Sequence, residues 1–213
     1  MTSPVARMDL ALFFKSALIG LSIAAPVGPV GLLCIQRSLD HGARIGFLSG
    51  LGAALADACF GALGAFGVQA LIQAFVALAT PLALVGSGFL AWMGLRLLRA
   101  TPARRAAALV EPGNGWKALA SVFALTLTNP MTILAFIAVF AGLGAGATPG
   151  TASALLMVAG VFCGSALWWL ALALGVAAVR HRLNAGLLQR IDQAAGLFLL
   201  GFAAWQLARA LAV

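Results

Sequence analysis

Six long apolar stretches dominate the sequence and restrict the folds open to it. A helix needs roughly 20 apolar residues to cross a bilayer. The runs 10–35, 45–70, 76–98, 118–142, 152–179 and 191–211 meet that length. Only 8% of the 213 residues are charged, whereas soluble domains carry roughly 25%. The sequence therefore predicts an all-α membrane protein with six transmembrane helices, forming one polytopic domain over residues 1–213.

The basic residues predict the direction of the spans. Ten of the 13 Lys and Arg residues fall in or beside the first, third and fifth links, and the second and fourth links contain none. Basic residues concentrate on the cytoplasmic side of membrane proteins. The three basic links, including the one at 99–116, are thus predicted to be cytoplasmic, and both termini external. Because the basic residues are explained by the orientation of the spans, the net charge of +8 does not indicate nucleic-acid binding. We therefore expect no nucleic-acid partner.

The two halves of the chain resemble each other. Residues 86–100 read GSGFLAWMGLRLLRA, and residues 196–210 read GLFLLGFAAWQLARA. The first and fourth spans each contain a proline break. Three spans per half would make the halves inverted in the membrane, a plan of secondary transporters whose sites lie at the midplane between broken helices. We therefore predict a 3+3 inverted repeat with breaks in spans one and four.

The first break is Pro26-Val27-Gly28-Pro29, in the middle of span one. Proline lacks an N–H and clashes with the carbonyl four residues back, so two prolines around a glycine should interrupt the helix. Unpaired backbone groups at this depth are tolerated only against protein or a wet cavity. A packing kink also fits the pattern, but we place Pro26, Gly28 and Pro29 in the predicted site.

Asn129-Pro130 in span four is the counterpart of the first break. Pro130 should free the carbonyl of Thr126, and the Asn129 amide offers both donors and an acceptor. The N–H groups where the helix restarts would suit a ligand's carboxylate. Asn129 could instead only cap its own broken helix. We expect both breaks to lie at similar depth and to face each other across a polar cavity.

Asp57 is the one acidic residue deep inside any of the six apolar runs. Intramembrane acids are costly and usually mark an ion or substrate path. Glycine and alanine residues share its helical face at three-, four- and seven-residue spacing, which leaves room for a ligand or another helix. Asp57 could carry a proton, pair with a substrate's amino group, or form a structural hydrogen bond between helices.

Span five offers two further candidates, Ser165 and Trp168, close to the small-residue stripe of Gly160 and Gly164. A tryptophan beside a site can shape its wall or contact a cation, although packing and interface anchoring are commoner roles. We include Ser165 and Trp168 in the predicted substrate or coupling site.

The sequence lacks the motifs of enzyme chemistry. It has no nucleotide-binding loop and no paired-carboxylate site, and both histidines fall in basic links. Three cysteines without a CxxC motif indicate neither a disulfide framework nor a zinc site. We therefore expect a transporter driven by an ion gradient, with no cofactor and no metal. The glycine stripe of Gly42, Gly46 and Gly50 could support a homodimer.

The stretch PVGPVGLLCIQRSLDHGARIGFLSGLGAALAD, at 26–57, resembles the opening signature of the LysE/RhtB family of amino-acid exporters. That signature combines a Pro-Gly-Pro-like break, a Gly-Arg-x-Gly-like cytoplasmic link and a Gly-x-Gly…Asp second helix. Thr128-Asn129-Pro130 is similar to the family's second hallmark. Two positions depart from the pattern. Val27 stands in place of the signature's first proline, and Met131 stands where many relatives have lysine.

The resemblance implies a secondary active exporter of amino acids or related metabolites in the bacterial inner membrane, driven by proton exchange. One alternative is a cation or metal exporter of the same superfamily, and another is a membrane thiol-disulfide electron carrier. A scaffold without transport would leave Asp57 and both breaks without a purpose. The sequence does not identify the substrate.

Overall fold

A computed structural model describes residues 4–26, 28–66, 79–99, 114–143, 150–180 and 185–211. All regular secondary structure in these residues is helical, which confirms the predicted all-α class for the part of the chain they cover. The described residues form eight helices: α1 Pro4–Ala24, α2 Pro29–His41, α3 Ala43–Ala65, α4 Ala79–Leu98, α5 Gly115–Leu127, α6 Pro130–Leu143, α7 Thr151–Arg180 and α8 Ala185–Leu211.

Three described helices are long and apolar enough to cross a membrane: Ala43–Ala65, Thr151–Arg180 and Gln189–Ala210. A fourth candidate span is bent, because Leu10–Ala24 and Pro29–His41 meet at 83°. Leu84–Leu98 and Gly115–Leu127 are apolar but shorter. Residues 67–78 and most of the 99–116 link lie outside the described residues. The structure thus supports a membrane protein, and the count of six spans stays a prediction.

The first break interrupts the helix as its two prolines require. Ala25 N–H still donates to the Leu21 carbonyl at 2.9 Å, and the next helix opens with Leu32 N–H donating to the Gly28 carbonyl at 3.0 Å. Pro29 is the first residue of α2, a position where its missing N–H costs nothing. The chain therefore changes direction between α1 and α2 with little loss of backbone hydrogen bonding in the helices themselves.

The second break, between α5 and α6, keeps more of the backbone hydrogen bonds. Asn129 N–H donates to the Thr126 carbonyl at 3.2 Å, and Thr128 N–H donates to the Ala124 carbonyl at 3.1 Å. The expectation that Pro130 frees the Thr126 carbonyl is therefore wrong. A tightened turn at the end of α5 supplies the donor that proline lacks, as helix ends commonly do.

Glycine lets α1 and α7 pack with their backbones in contact. A Cβ at Gly164 would overlap the carbonyl of Ala17, and one at Gly160 would lie 2.6 Å from the carbonyl oxygen of Phe13. Small residues let helices in membranes approach closely and gain van der Waals contact. The small-residue stripe of span five is therefore used to pack α7 against α1.

The glycine face of α3 is also filled by its own chain. α3 packs against α2, α5 and α7. A side chain at Gly46 would collide with Ser38 of α2, and one at Gly50 would collide with Trp169 of α7. Two of the three glycines predicted for a homodimer thus make contacts within the chain.

The α4–α8 pair forms a second close contact. A Cβ at Gly94 would lie 2.8 Å from the carbonyl oxygen of Gly196, and a Cβ at Gly196 would lie 2.8 Å from the carbonyl oxygen of Gly94. The two helices therefore meet reciprocally, each presenting a glycine to the other's backbone.

Arg37 ties α2 to α3 and α5. Its guanidinium donates to Ser49 Oγ at 3.1 Å, to the Ala118 carbonyl oxygen at 2.8 Å and to Ser121 Oγ at 2.8 Å. The rigid fork of a guanidinium suits several acceptors at once. These bonds fix α2, which follows the first break, against α3, which carries Asp57.

We predict that Gly164→Ala lowers the free energy of unfolding by about 1–3 kcal/mol, because overpacking of this size forces the helices apart. The matched control is Gly175→Ala in the same helix, where no described heavy atom lies within 4 Å of the added carbon. That change should be neutral or stabilise α7 by up to about 1 kcal/mol. Thermal unfolding of both purified variants in detergent is the measurement, and equal midpoints would contradict the packing.

Candidate functional site

A cavity of about 360 Å³ lies between the two helix breaks. We call it the break cavity. Small-molecule sites typically enclose roughly 300–1,000 Å³ and combine apolar walls with a few polar groups. Its described walls come from both breaks, α3, α7 and α8. They comprise Ile23, Ala24, Pro26, Gly28, Pro29, Val30, Gly31, Ala53, Asp57, Thr126, Asn129, Met131, Thr132, Ala135, Trp169, Phe198 and Phe202.

The break cavity brings together most of the residues predicted for the site. Its lining includes Pro26, Gly28, Pro29, Asp57 and Asn129. Both breaks and the buried acid therefore meet at one space.

The other three predicted residues are placed differently. Pro130 follows Asn129 as the first residue of α6. Among the described wall residues, neither Ser165 nor Trp168 appears. Ser165 instead reaches the site through a hydrogen bond to Asp57. Trp168 is half-buried and packs against the main hydrophobic cluster.

A chain of hydrogen bonds from α7 holds Asp57. Ser165 Oγ donates to Asp57 Oδ2 at 2.7 Å, and the Trp169 indole Nε1–H donates to Ser165 Oγ at 3.2 Å. The exposed fractions are 3% for Asp57, 0% for Ser165 and 4% for Trp169. A hydroxyl can donate and accept at once, so Ser165 satisfies both neighbours. Asp57 also lines the break cavity, where a ligand or a proton can reach its carboxylate.

Sequence reasoning missed Trp169, the tryptophan that lines the break cavity. Trp168 lies three residues after Ser165 and Trp169 lies four, and both spacings place side chains on one helical face. The rotation of α7 against α3 decides between them, because Gly50 leaves space for the Trp169 ring. The four-residue spacing between Ser165 and Trp169 was the feature of the sequence that could have indicated Trp169.

The side chain of Thr126 was not predicted from the sequence to belong to the site, where only the carbonyl of this residue was named. It lines the break cavity and is 3% exposed. Within the described part of the chain, its Oγ1 has no hydrogen-bond partner. α8 adds Phe198 and Phe202, four residues apart on one face.

Two helices begin at the break cavity, and their first turns differ. Asn129 Oδ1 accepts from Met131 N–H at 3.1 Å, so Asn129 caps α6. Gly28, the N-cap of α2, has no side chain to offer, and no side-chain hydrogen bond caps α2 among the described residues. The first N–H groups of a helix lack partners within it. The start of α2 therefore keeps more donors for a ligand than the start of α6.

The described residues contain no group of three or more His, Cys, Asp or Glu side chains that could hold a metal ion. All three cysteines are free thiols, with Cys34 buried and Cys59 and Cys163 exposed. The chemistry that the described site offers is that of a carboxylate, hydroxyls, an amide and a helix N-terminus. These groups can bind and release a small polar molecule or a proton.

Apolar helices with a buried carboxylate at a cavity between two helix breaks define a membrane transport protein. The model of the LysE type translocator family matches residues 21–209, and the chain belongs to this family. Members of the family are transporters and not enzymes. The match confirms the family resemblance found in the sequence.

Three relatives illustrate the similarity. The chain is 33% identical to the uncharacterized membrane protein YahN of Escherichia coli (strain K12), over 74% of this chain and 71% of YahN. It is 29% identical to the putative amino acid efflux protein YcgF of Bacillus subtilis (strain 168), over 90% and 92% of the two chains. It is 26% identical to the arginine exporter protein ArgO of Pectobacterium carotovorum subsp. carotovorum (strain PC1), over 95% and 97%. No solved structure matches the chain.

Proposed function

We propose that this protein exports amino acids or related small metabolites across the bacterial inner membrane in exchange for protons. The observation that carries the proposal is the Asp57 carboxylate at the break cavity, held on one oxygen by Ser165. Family membership supports export, since YcgF is named as a putative amino acid efflux protein and ArgO as an arginine exporter.

The exchange of substrate for protons is explained by the free-energy cost of an unpaired charge inside a membrane. A buried carboxylate there must be neutral or paired with a cation. Asp57 would be protonated when the cavity is empty and would pair with the substrate's ammonium group when it is occupied. Proton and ammonium compete for the same carboxylate, so loading one releases the other. Ser165 can donate to Oδ2 in both states, so that Oδ1 would bind either the proton or the ammonium group.

The finer architecture that we propose is six spans in two inverted halves, α1–α4 and α5–α8. The packing of the described helices supports it. α1 packs on α7, and α5 correspondingly packs on α3. α3 packs on α7 and α4 on α8, the last through the reciprocal contact of Gly94 and Gly196. A two-fold axis between the halves would convert the α1–α7 pair into the α5–α3 pair, and it would exchange the two helices within the α3–α7 pair and within the α4–α8 pair. It would pass near the two breaks, where inverted-repeat transporters bind substrate.

The proposed orientation places both termini outside the cell and the 99–116 link in the cytoplasm, because ten of 13 basic residues fall on that side. In a cysteine-free background, Gly150→Cys should react with a membrane-impermeant thiol reagent added to intact cells, and Lys117→Cys should not. Both positions are exposed in the structure and lie at opposite ends of span four. The reverse labelling pattern would overturn the orientation.

Asp57→Asn tests the function. The amide keeps the size and hydrogen-bonding capacity of the side chain but removes its titratable charge. We expect normal membrane insertion and a loss of proton-driven efflux from loaded vesicles of about 10–100-fold, equivalent to the roughly 1.5–3 kcal/mol of a hydrogen bond to a charged group. Asp9→Asn, near the start of α1, controls for the loss of one negative charge.

Substrate exchange at equal concentrations on both sides separates the two roles of Asp57. Because the same carboxylate is proposed to bind the substrate, Asp57→Asn should slow exchange as well as net efflux. Intact exchange with lost net efflux would restrict Asp57 to proton coupling. Wild-type rates in both assays would contradict the proposed function of this site.

A further inference from the structure

The break cavity also indicates the class of substrate, given the proposed function of amino-acid export. We infer that the substrate is a neutral amino acid with an apolar side chain. Its ammonium group lies against Asp57, its carboxylate lies at the N-terminus of α2, and the Thr126 hydroxyl makes a further hydrogen bond to it. The side chain lies against the apolar wall of the cavity.

Charge balance excludes a basic substrate. Asp57 is the only acidic side chain among the described residues that line the break cavity. An amino acid with an uncharged side chain brings one ammonium group for this one carboxylate. Lysine or arginine would bring a second cation into the cavity, where an unpaired charge is strongly disfavoured. The neighbouring charge on α2 is also positive, since Arg37 lies six residues beyond Gly31, about 9 Å along the helix.

The carboxylate end of the substrate fits the start of α2. Val30 and Gly31 line the break cavity and belong to the first turn of this 13-residue helix. Their N–H groups have no partner within the helix, and no side chain of the described residues caps them. A helix N-terminus favours anions through these donors and its dipole. A zwitterion can therefore span from Asp57 to α2 with both charges met.

Thr126 gives an independent sign that the cavity receives a polar ligand. Its side chain is 3% exposed and lines the cavity, and its Oγ1 has no hydrogen-bond partner in the described part of the chain. A buried hydroxyl left unpaired is costly, and either end of a zwitterion would pair it. Thr128, two residues along, instead donates to the carbonyls of Ala124 and Leu125 at 3.0 and 3.1 Å.

The remaining residues of the cavity wall indicate what kind of side chain the substrate has. Apolar groups surround the polar ones, including Ile23, Ala53, Ala135, Phe198 and Phe202. An aliphatic or aromatic side chain gains by leaving water for such a surface. A polar side chain would lose its water, and beyond Asp57 and Thr126 the described wall offers it only the side chains of Asn129 and Thr132 as polar partners.

Counterflow from proteoliposomes tests the substrate class. Purified protein should transport leucine, valine and phenylalanine at least tenfold faster than lysine and arginine at equal concentration. Lysine or arginine rates equal to or above that of leucine would overturn the inferred class and leave amino-acid export standing. Transport of none of the amino acids would overturn the proposed function together with the inference.

The same assay tests Thr126. Thr126→Val removes the hydroxyl with little change of shape, and we expect it to raise the KM for leucine about 5–10-fold. Thr128→Val is the matched control, since its hydroxyl is satisfied by its own helix, and its KM should stay within twofold of wild type. If Thr126→Val does not reach the membrane, Thr126→Ala tests the same hydroxyl. A wild-type KM in the Thr126 variant would remove Thr126 from the site.

Discussion

A carboxylate inside a bilayer must be paired or neutral, and the arrangement of this protein depends on how Asp57 meets that requirement. Small residues on α3 let α7 come close, so that Gly50 accepts the Trp169 ring and a Cβ at Gly61 would lie 3.5 Å from Val161. Ser165 can then reach one carboxylate oxygen while Trp169 holds Ser165. The packing of α3 against α7 therefore brings Ser165 within hydrogen-bond distance of Asp57 beside the cavity.

The helix breaks supply what a continuous helix could not. A continuous span one would pair every N–H inside the helix and fill the space beside Asp57. The prolines of the first break open that space and leave the first turn of α2 with free donors. Arg37 then holds α2 against α3 and α5. A helix start with free donors and a buried acid thus line the same cavity.

Part of this arrangement could be predicted from the sequence, because local chemistry determines it. The apolar runs follow from the bilayer that surrounds the helices, the first break follows from Pro26 and Pro29, and the burial of Asp57 follows from its place inside an apolar run. The remaining features depend on how helices rotate against each other. The choice of Trp169 over Trp168 and the missing partner of the Thr126 hydroxyl are set by tertiary packing. The hydrogen bond from Asn129 N–H to the Thr126 carbonyl depends on a tightened turn that the proline rule did not anticipate.

The most direct test of the central claim is leucine binding to the purified protein, measured as the rise of its thermal unfolding midpoint. A ligand at 100 times its Kd stabilises the folded state by about 2.7 kcal/mol, enough to shift the midpoint by several degrees. We predict this shift for the wild type and for Thr128→Val, and its loss in Asp57→Asn. An equal shift in Asp57→Asn would contradict the claim that the Asp57 carboxylate holds the substrate's ammonium group.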